Sequence, residues 1–259
     1  MLKLIDRIHP GWSAHLVARG FSRPKRPRSL SDRLPNGTVA FNRACLAVYV
    51  DGGAADRSAL LLHGWQGTQH DLDEIRRQLL ARGWRTVAMD FPAHGRSPGR
   101  VMTLADMAAA VRGVVETYGP FDAAIAHSLG GAALVEAASG ERVAARIALL
   151  GAPLSAGLHM RRLMERLGLP ASRYPRIRTA YRALYGLDLD RFDVSRTPLS
   201  PEVPALLVYG SHDRTVPPDE GQRIHEVTPH GRLVVLEGVG HRGLLRHRAA
   251  IHEIIEFVR

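Results

Sequence analysis

Six residues near the middle of the chain, Ala126-His127-Ser128-Leu129-Gly130-Gly131, join an apolar strand directly to a helix. Phe121 to Ala126 reads as a short buried strand, and Gly131 to Ala138 as a helix rich in small residues. A serine in so sharp a turn takes up a strained backbone conformation, and its hydroxyl is pushed out above the sheet. Small residues two before and two after it let strand and helix approach closely. Gly130 keeps that pattern, and Ala126 departs from glycine by a single methyl group.

The surrounding chain alternates in the same way. Thr38–Phe41 and Cys45–Val50 read as paired strands, and Ala59–His63, Thr86–Asp90, Ala145–Leu150, Pro204–Gly210 and Leu233–Leu236 as further ones. Between them lie helical patterns: Leu72, Ile75 and Leu79, then residues 103–118, and finally Ile251, Ile254, Ile255 and Val258. Strands alternating with helices predict an α/β fold, a mostly parallel sheet flanked by helices, with sites at the carboxyl ends of strands. Between Pro153 and Pro201 no strand candidate occurs. Met160, Leu163, Met164 and Leu167 form one apolar stripe, and Ile177, Tyr181 and Leu184 a second, so this interval predicts an inserted helical cap. The expected division is a basic arm over 1–35, a core over 36–152 and 201–259, and a cap over 153–200.

Charge follows that division. The chain carries +10, of which residues 1–35 supply +6 and residues 153–200 supply +5, leaving the core near neutrality. The first 35 residues lack steady periodicity and read as an arm that either packs on the domain or is partly disordered. Met1–Ile8 reads as a short helix and Ser22–Ser29 as an extended, solvated segment. No apolar run approaches the roughly 20 residues that cross a bilayer, and no secretory leader pattern opens the chain, so the expected location is cytoplasmic. Cys45 is the single cysteine; it precludes an internal disulfide and reads as a buried structural thiol. None of the 13 histidines falls in a metal-ligand spacing, so no metal is expected.

A serine hydroxyl is a poor nucleophile at neutral pH and needs a histidine base oriented by a carboxylate. Leu206-Leu207-Val208-Tyr209-Gly210-Ser211-His212-Asp213 is a strand followed by a turn that ends in an acid. Gly238-Val239-Gly240-His241 follows the last strand and offers a histidine on a glycine-flanked loop. Asp193 and Glu237 are rivals to Asp213, which is preferred for its position at a strand end. Ser128 as nucleophile, His241 as base and Asp213 as its orienting acid form the predicted set. The oxyanion would be held by the amide of Leu129 and by that of Trp65, which follows His63-Gly64. His63, His94, His127, His212 and Asp90 read as structural or supporting groups rather than as chemistry.

These motifs, with the His94-Gly95-Arg96-Ser97 turn and Asp213-Arg214-Thr215-Val216-Pro217, occur in order from Gly37 to Arg259 and resemble those of the α/β-hydrolase family. The resemblance implies a capped sheet, an acyl-enzyme and no cofactor. It leaves the arm and the details of the cap uncovered. The expected activity is serine hydrolysis of small-molecule carboxylic esters, with thioesters as a variant. Acyl transfer, carbon–carbon bond hydrolysis and cofactor-free peroxidation use the same triad, and a non-catalytic receptor or scaffold on this fold is the reading from another class.

Substrate contacts are expected from the cap, through Met160, Met164 and Tyr181, with Tyr174 and Tyr185 nearby; the alternative is that these residues only pack the cap on the core. Arg161, Arg162, Arg166, Arg176, Arg178 and Arg182 would form a basic outer rim. That rim suits either plain solvation or contact with anionic substrates or an anionic membrane surface. The arm lacks the interleaved aromatics of a nucleic-acid binder, so no nucleic-acid partner is expected. No oligomeric state follows from the sequence.

Overall fold

The structure, a computed structural model, describes residues 4, 6, 8–26 and 32–259. Eight strands form one sheet: β1 (Gly37–Phe41), β2 (Ala44–Asp51), β3 (Ser58–Leu62), β4 (Arg85–Met89), β5 (Phe121–His127), β6 (Ala144–Leu150), β7 (Ala205–Gly210) and β8 (Gly231–Leu236). Their order is β1-β2-β4-β3-β5-β6-β7-β8. β1 pairs antiparallel with β2, and β2 with β4; every other neighbouring pair is parallel.

Alternation along the central strands explains why they read as unbroken apolar runs. Leu60 and Leu62 point to one face, with Val87, Met89, Ala124, Ala126, Leu149 and Leu207. Leu61 points to the other, with Ala88, Ile125, Leu150, Leu206 and Val208. Both faces are covered by helices, so neither can be polar. On the first face lie α3 (Leu104–Tyr118), α4 (Leu129–Ala138) and α7 (Pro218–Glu226); on the second lie α2 (Asp73–Leu80) and α8 (Arg248–Val258). Thr103 caps α3 reciprocally with Asp106, each side chain meeting the other's backbone N–H, which fixes where that helix starts.

Between β6 and β7 the chain forms α5 (Ala156–Arg166) and α6 (Tyr174–Tyr185), with Ser155 capping α5 through the Leu158 N–H at 3.1 Å. Arg162 of α5 pairs with Glu220 of α7, a carboxylate fully withdrawn from solvent that also accepts the Leu154 N–H at 2.6 Å. That pair clamps the segment to the core. Arg162 is therefore not part of an outer rim. Arg178 is also engaged, reaching Asp188 at 2.7 Å, and Arg161 lies 3.5 Å over the Tyr174 ring.

Two findings differ from the sequence reading. The arm carries a helix, α1 (Pro10–Phe21), that buries Ala14, Val17 and Ala18 against the same core as α5 and α6. Its inward stripe, at i, i+3, i+4 and i+7 with Phe21, is made largely of alanines and is faint for that reason. Arg173 bonds Asp6 at 2.9 Å, and Arg26 donates to the Ser97 carbonyl at 2.6 Å, so the N-terminal segment is tied both to the residues just before α6 and to the loop after β4. Leu4, Asp6 and Ile8 are helical; the other residues of the expected Met1–Ile8 helix, apart from Ile8, Asp6 and Leu4, lie outside the described residues, as do 27–29 of the expected extended segment. Cys45 is exposed rather than buried, because it lies second in β2, next to the hairpin turn at the edge of the sheet.

Candidate active site

Ser128 follows β5 and caps α4, with φ 54° and ψ −129°. Positive φ is costly for a residue with a Cβ, by about 1–2 kcal/mol, and here the surroundings enforce it. Its N–H donates to the Leu150 carbonyl at 2.9 Å, continuing the β5–β6 register, while its carbonyl accepts the Gly131 N–H at 2.8 Å. Gly64 leaves the clearance that this turn needs: a Cβ there would fall 2.8 Å from the Ser128 Cβ. Gly130 does the same for the helix, since its Cβ would strike the His63 carbonyl. Gln66 and Ala93 also have positive φ, so three of the four such non-glycine residues among the described residues border this edge.

The loops after β7 and β8 reach the same edge, because Gly210 and Leu236 are paired in register. His241 Nε2 lies 2.9 Å from Ser128 Oγ, and His241 Nδ1 lies 2.6 Å from Asp213 Oδ2. Asp213 is buried, and its other oxygen accepts the N–H groups of Thr215 at 2.8 Å and Val216 at 2.9 Å. This holds the carboxylate in one orientation. The histidine tautomer that satisfies both partners carries its proton on Nδ1, leaving Nε2 to accept from the serine hydroxyl. Asp193 bonds the backbone and side chain of Ser195 instead, at 2.9 and 2.6 Å.

Leu129 follows Ser128 directly, and Trp65 follows Gly64, whose backbone lies against Ser128; neither backbone N–H donates to another group among the described residues. Next to them, Gln66 N–H donates to His94 Nε2 at 3.1 Å, and His94 Nδ1 donates to the Pro92 carbonyl at 2.9 Å. His63 works in the same way, donating from Nδ1 to the Gly64 carbonyl at 2.7 Å and accepting the Phe91 N–H at 3.0 Å. Each imidazole must be neutral to donate at one nitrogen and accept at the other. Burial holds the His63 pKa below its ordinary value, and burial, aided by the nearby His63, pushes His94 down to about 3. Asp90 binds the Gln69 N–H, the Tyr49 hydroxyl and the Arg96 N–H, each at 2.9 Å, and so fixes the loop after β4. His127 packs against the His241 ring at 4.6 Å; burial and then the adjacent His241 push it to about 3.

A cavity of about 280 Å³ opens beside Leu129 and Trp65. Its walls are Phe21 and Leu16 of α1, His159, Leu163 and Arg166 of α5, and Leu167 just after it. A larger cavity, about 370 Å³, lies at the amino end of β6 beside Arg142 and Val203, away from the serine. Met160, Met164 and Tyr181 are brought into the buried core and do not line the cavity; the face that does lies one residue before and three after Met160. The stripe was legible as apolar, but which part faces the site depends on where α1 packs. Among the described residues no three His, Cys, Asp or Glu side chains could hold a metal ion, and no helix is long and apolar enough to cross a membrane.

Residues 59–254 match the family described as "Alpha/beta hydrolase family". A pimeloyl-[acyl-carrier protein] methyl ester esterase of Neisseria meningitidis is 27% identical, over 76% of this chain and 90% of the relative. Among solved structures, an esterase of Pyrococcus furiosus superposes with a TM-score of 0.66 at 20% identity, covering 91% of this chain and 95% of the other. A ferulic acid-bound protein of Butyrivibrio proteoclasticus gives 0.66 at 20% identity, covering 86% and 99%. The match over most of its length makes this chain a member of the α/β hydrolase family, with esterases among its relatives.

Proposed function

We propose that the protein is a serine hydrolase that cleaves carboxylic esters through an acyl-enzyme on Ser128. The observation that carries this reading is the continuous hydrogen-bonded line from Ser128 Oγ through both nitrogens of His241 to the buried Asp213. In the first half-reaction His241 Nε2 takes the serine proton as Oγ attacks the ester carbonyl. The tetrahedral oxygen is held by the N–H groups of Leu129 and Trp65, which is worth about 3–4 kcal/mol per donor in comparable sites. Asp213 stabilises the imidazolium. Protonated His241 then gives its proton to the departing alkoxide, and the acyl group remains on Ser128. In the second half-reaction water attacks the acyl carbon as His241 takes its proton, and the imidazolium then returns that proton to Ser128 Oγ as the Oγ–acyl bond breaks and the carboxylic acid leaves.

The 153–200 segment acts as a cap on the 36–152 and 201–259 core, and α1 of the N-terminal arm completes the wall of the pocket between them. The methyl ester esterases related in sequence support an ester, rather than an amide, as the bond cleaved. A receptor built on this fold has no use for a strained serine aligned with a base, so catalysis is favoured over pure binding. Assay of p-nitrophenyl esters of increasing acyl length, with Ser128→Ala as control, tests the proposal. The expected result is turnover that falls by at least about 10⁴-fold in the variant. Equal rates in both proteins would refute it.

A further inference from the structure

His159 stands apart from every other buried histidine around the site. His63, His94 and His127 each bond the backbone, whereas neither ring nitrogen of His159 has a hydrogen-bond partner among the described residues. The residue is only 8% exposed, and its Nδ1 is fully enclosed without a partner. Nδ1 is sealed, so a partner can reach the ring only at Nε2, which also has no bond but is not fully enclosed; leaving a largely buried donor unpaired costs about 1–3 kcal/mol, which a ligand in the cavity would recover. His159 lines the cavity beside Leu129 and Trp65, and its ring packs 6.0 Å from Phe21 of α1.

We propose that His159 is a specificity-determining residue that hydrogen-bonds the substrate, and that the cavity takes the apolar arm of an ester bearing an acceptor oxygen. This rests on the hydrolase reading and names the substrate class of that same site. The polarity of the interaction follows from the ring. A sealed N–H is rarer and costlier than a sealed acceptor, so the enclosed Nδ1 is the unprotonated nitrogen and Nε2 carries the hydrogen. The imidazole is uncharged at neutral pH, since burial and then the Arg166 charge push its pKa down to about 4. His159 thus presents a neutral donor. Arg166, the one charged side chain lining the cavity, has no ion-pair partner among the described residues and presents a second, cationic donor at the exposed rim. Both favour an acceptor on the substrate. Among the other lining residues, Phe21, Leu16, Leu163 and Leu167 supply an apolar sleeve for the carbons between that oxygen and the scissile carbonyl.

The test compares p-nitrophenyl esters of three matched acyl chains: plain, keto-substituted along the chain, and carboxylate-terminated. The wild-type protein is expected to favour the keto ester over the plain one by about tenfold in kcat/KM, about 1.4 kcal/mol, a range typical of one buried hydrogen bond. His159→Leu brings that ratio close to one, chiefly through KM, and His159→Gln, which keeps an N–H donor, restores part of it. Arg166→Gln lowers the carboxylate ester selectively. A ratio near one in the wild type, or a preference unchanged in His159→Leu, overturns the proposal. Calorimetric binding of the matching free acids to the wild type and His159→Leu reads the same preference without turnover. A protein that discriminates among the acids but hydrolyses no ester would therefore contradict the esterase reading while supporting His159.

Discussion

The two walls of the site are built by different physics. On the sheet side, around Ser128, position is set by backbone: strand register, glycines where another residue would collide, and neutral histidines that clip one loop to the next. On the outer side, α1, α5 and α6 meet largely through apolar contact, with the Arg173–Asp6 and Arg162–Glu220 pairs as pins. The first kind of wall tolerates almost no change in shape and holds reacting atoms within tenths of an ångström. The second can be altered in sequence while keeping its packing. Chemistry is assigned to the rigid wall and selectivity to the adaptable one.

The contrast is broken most severely at Asp213. Asp213→Asn keeps the shape of the rigid wall but reverses what it offers His241, so esterase activity is expected to fall by about 10³–10⁴-fold with thermal stability changed little. Steady-state kinetics beside a melting curve checks both halves. Gly64→Ala comes next. Its methyl group would meet Ser128 Cβ at 2.8 Å, and the displaced turn would carry the Trp65 N–H with it. A loss of about 10²-fold in kcat is expected, with roughly 1–3 kcal/mol of stability.

Legibility in the sequence divided along the same line. Gly64, Gly130, Ser128, Asp213 and His241 were readable because backbone geometry admits few residue types at such positions. The cavity side was not. Ala14, Val17, Ala18 and Phe21 carry a helical stripe, but alanines contribute little contrast against their neighbours, so the sequence leaves open whether the arm packs on the domain. Met160 and Met164 were recognised as apolar, yet only the packing of α1 decides that they are enclosed and that His159 and Leu163 face the cavity. His159 has no motif around it. Its significance lies in an unmet hydrogen bond, which is a property of three-dimensional surroundings.

Acid sharpens the comparison further. His94 and His127 are neutral when folded, with pKa values near 3, while the unfolded chain takes up protons at the ordinary value of about 6.5. Their contribution to stability is therefore complete above about pH 6.5 and is lost progressively as pH falls toward 3. His94→Gln, which can still donate and accept but does not titrate, is expected to flatten the dependence of melting temperature on pH between 6 and 4. An unchanged slope would show that His94 does not contribute to it.

The outer wall should respond more weakly. Burial raises the Asp6 pKa, but the hydrogen bonds from Ser13 and Arg173 outweigh it and leave the carboxyl below its ordinary value. The stability from this link is present above the ordinary carboxylate range and is lost as pH falls through the lowered folded value. Because Arg173 is 30% exposed, Asp6→Asn is expected to cost about 1 kcal/mol or less at neutral pH, and nothing once both states are protonated. Urea unfolding at two pH values reads the difference. Gly11→Ala, whose added methyl group meets nothing within 4 Å, should change stability by no more than about 0.5–1 kcal/mol, against the damage expected at Gly64.

The central claim is that Ser128 is made nucleophilic by His241 and Asp213. Treatment with a fluorophosphonate followed by peptide mass mapping tests it directly. The account predicts a single adduct on Ser128, formed quickly in the wild type, greatly slowed in His241→Ala and absent in Ser128→Ala. An unmodified Ser128 in the folded protein, or labelling that proceeds equally well without His241, would contradict it.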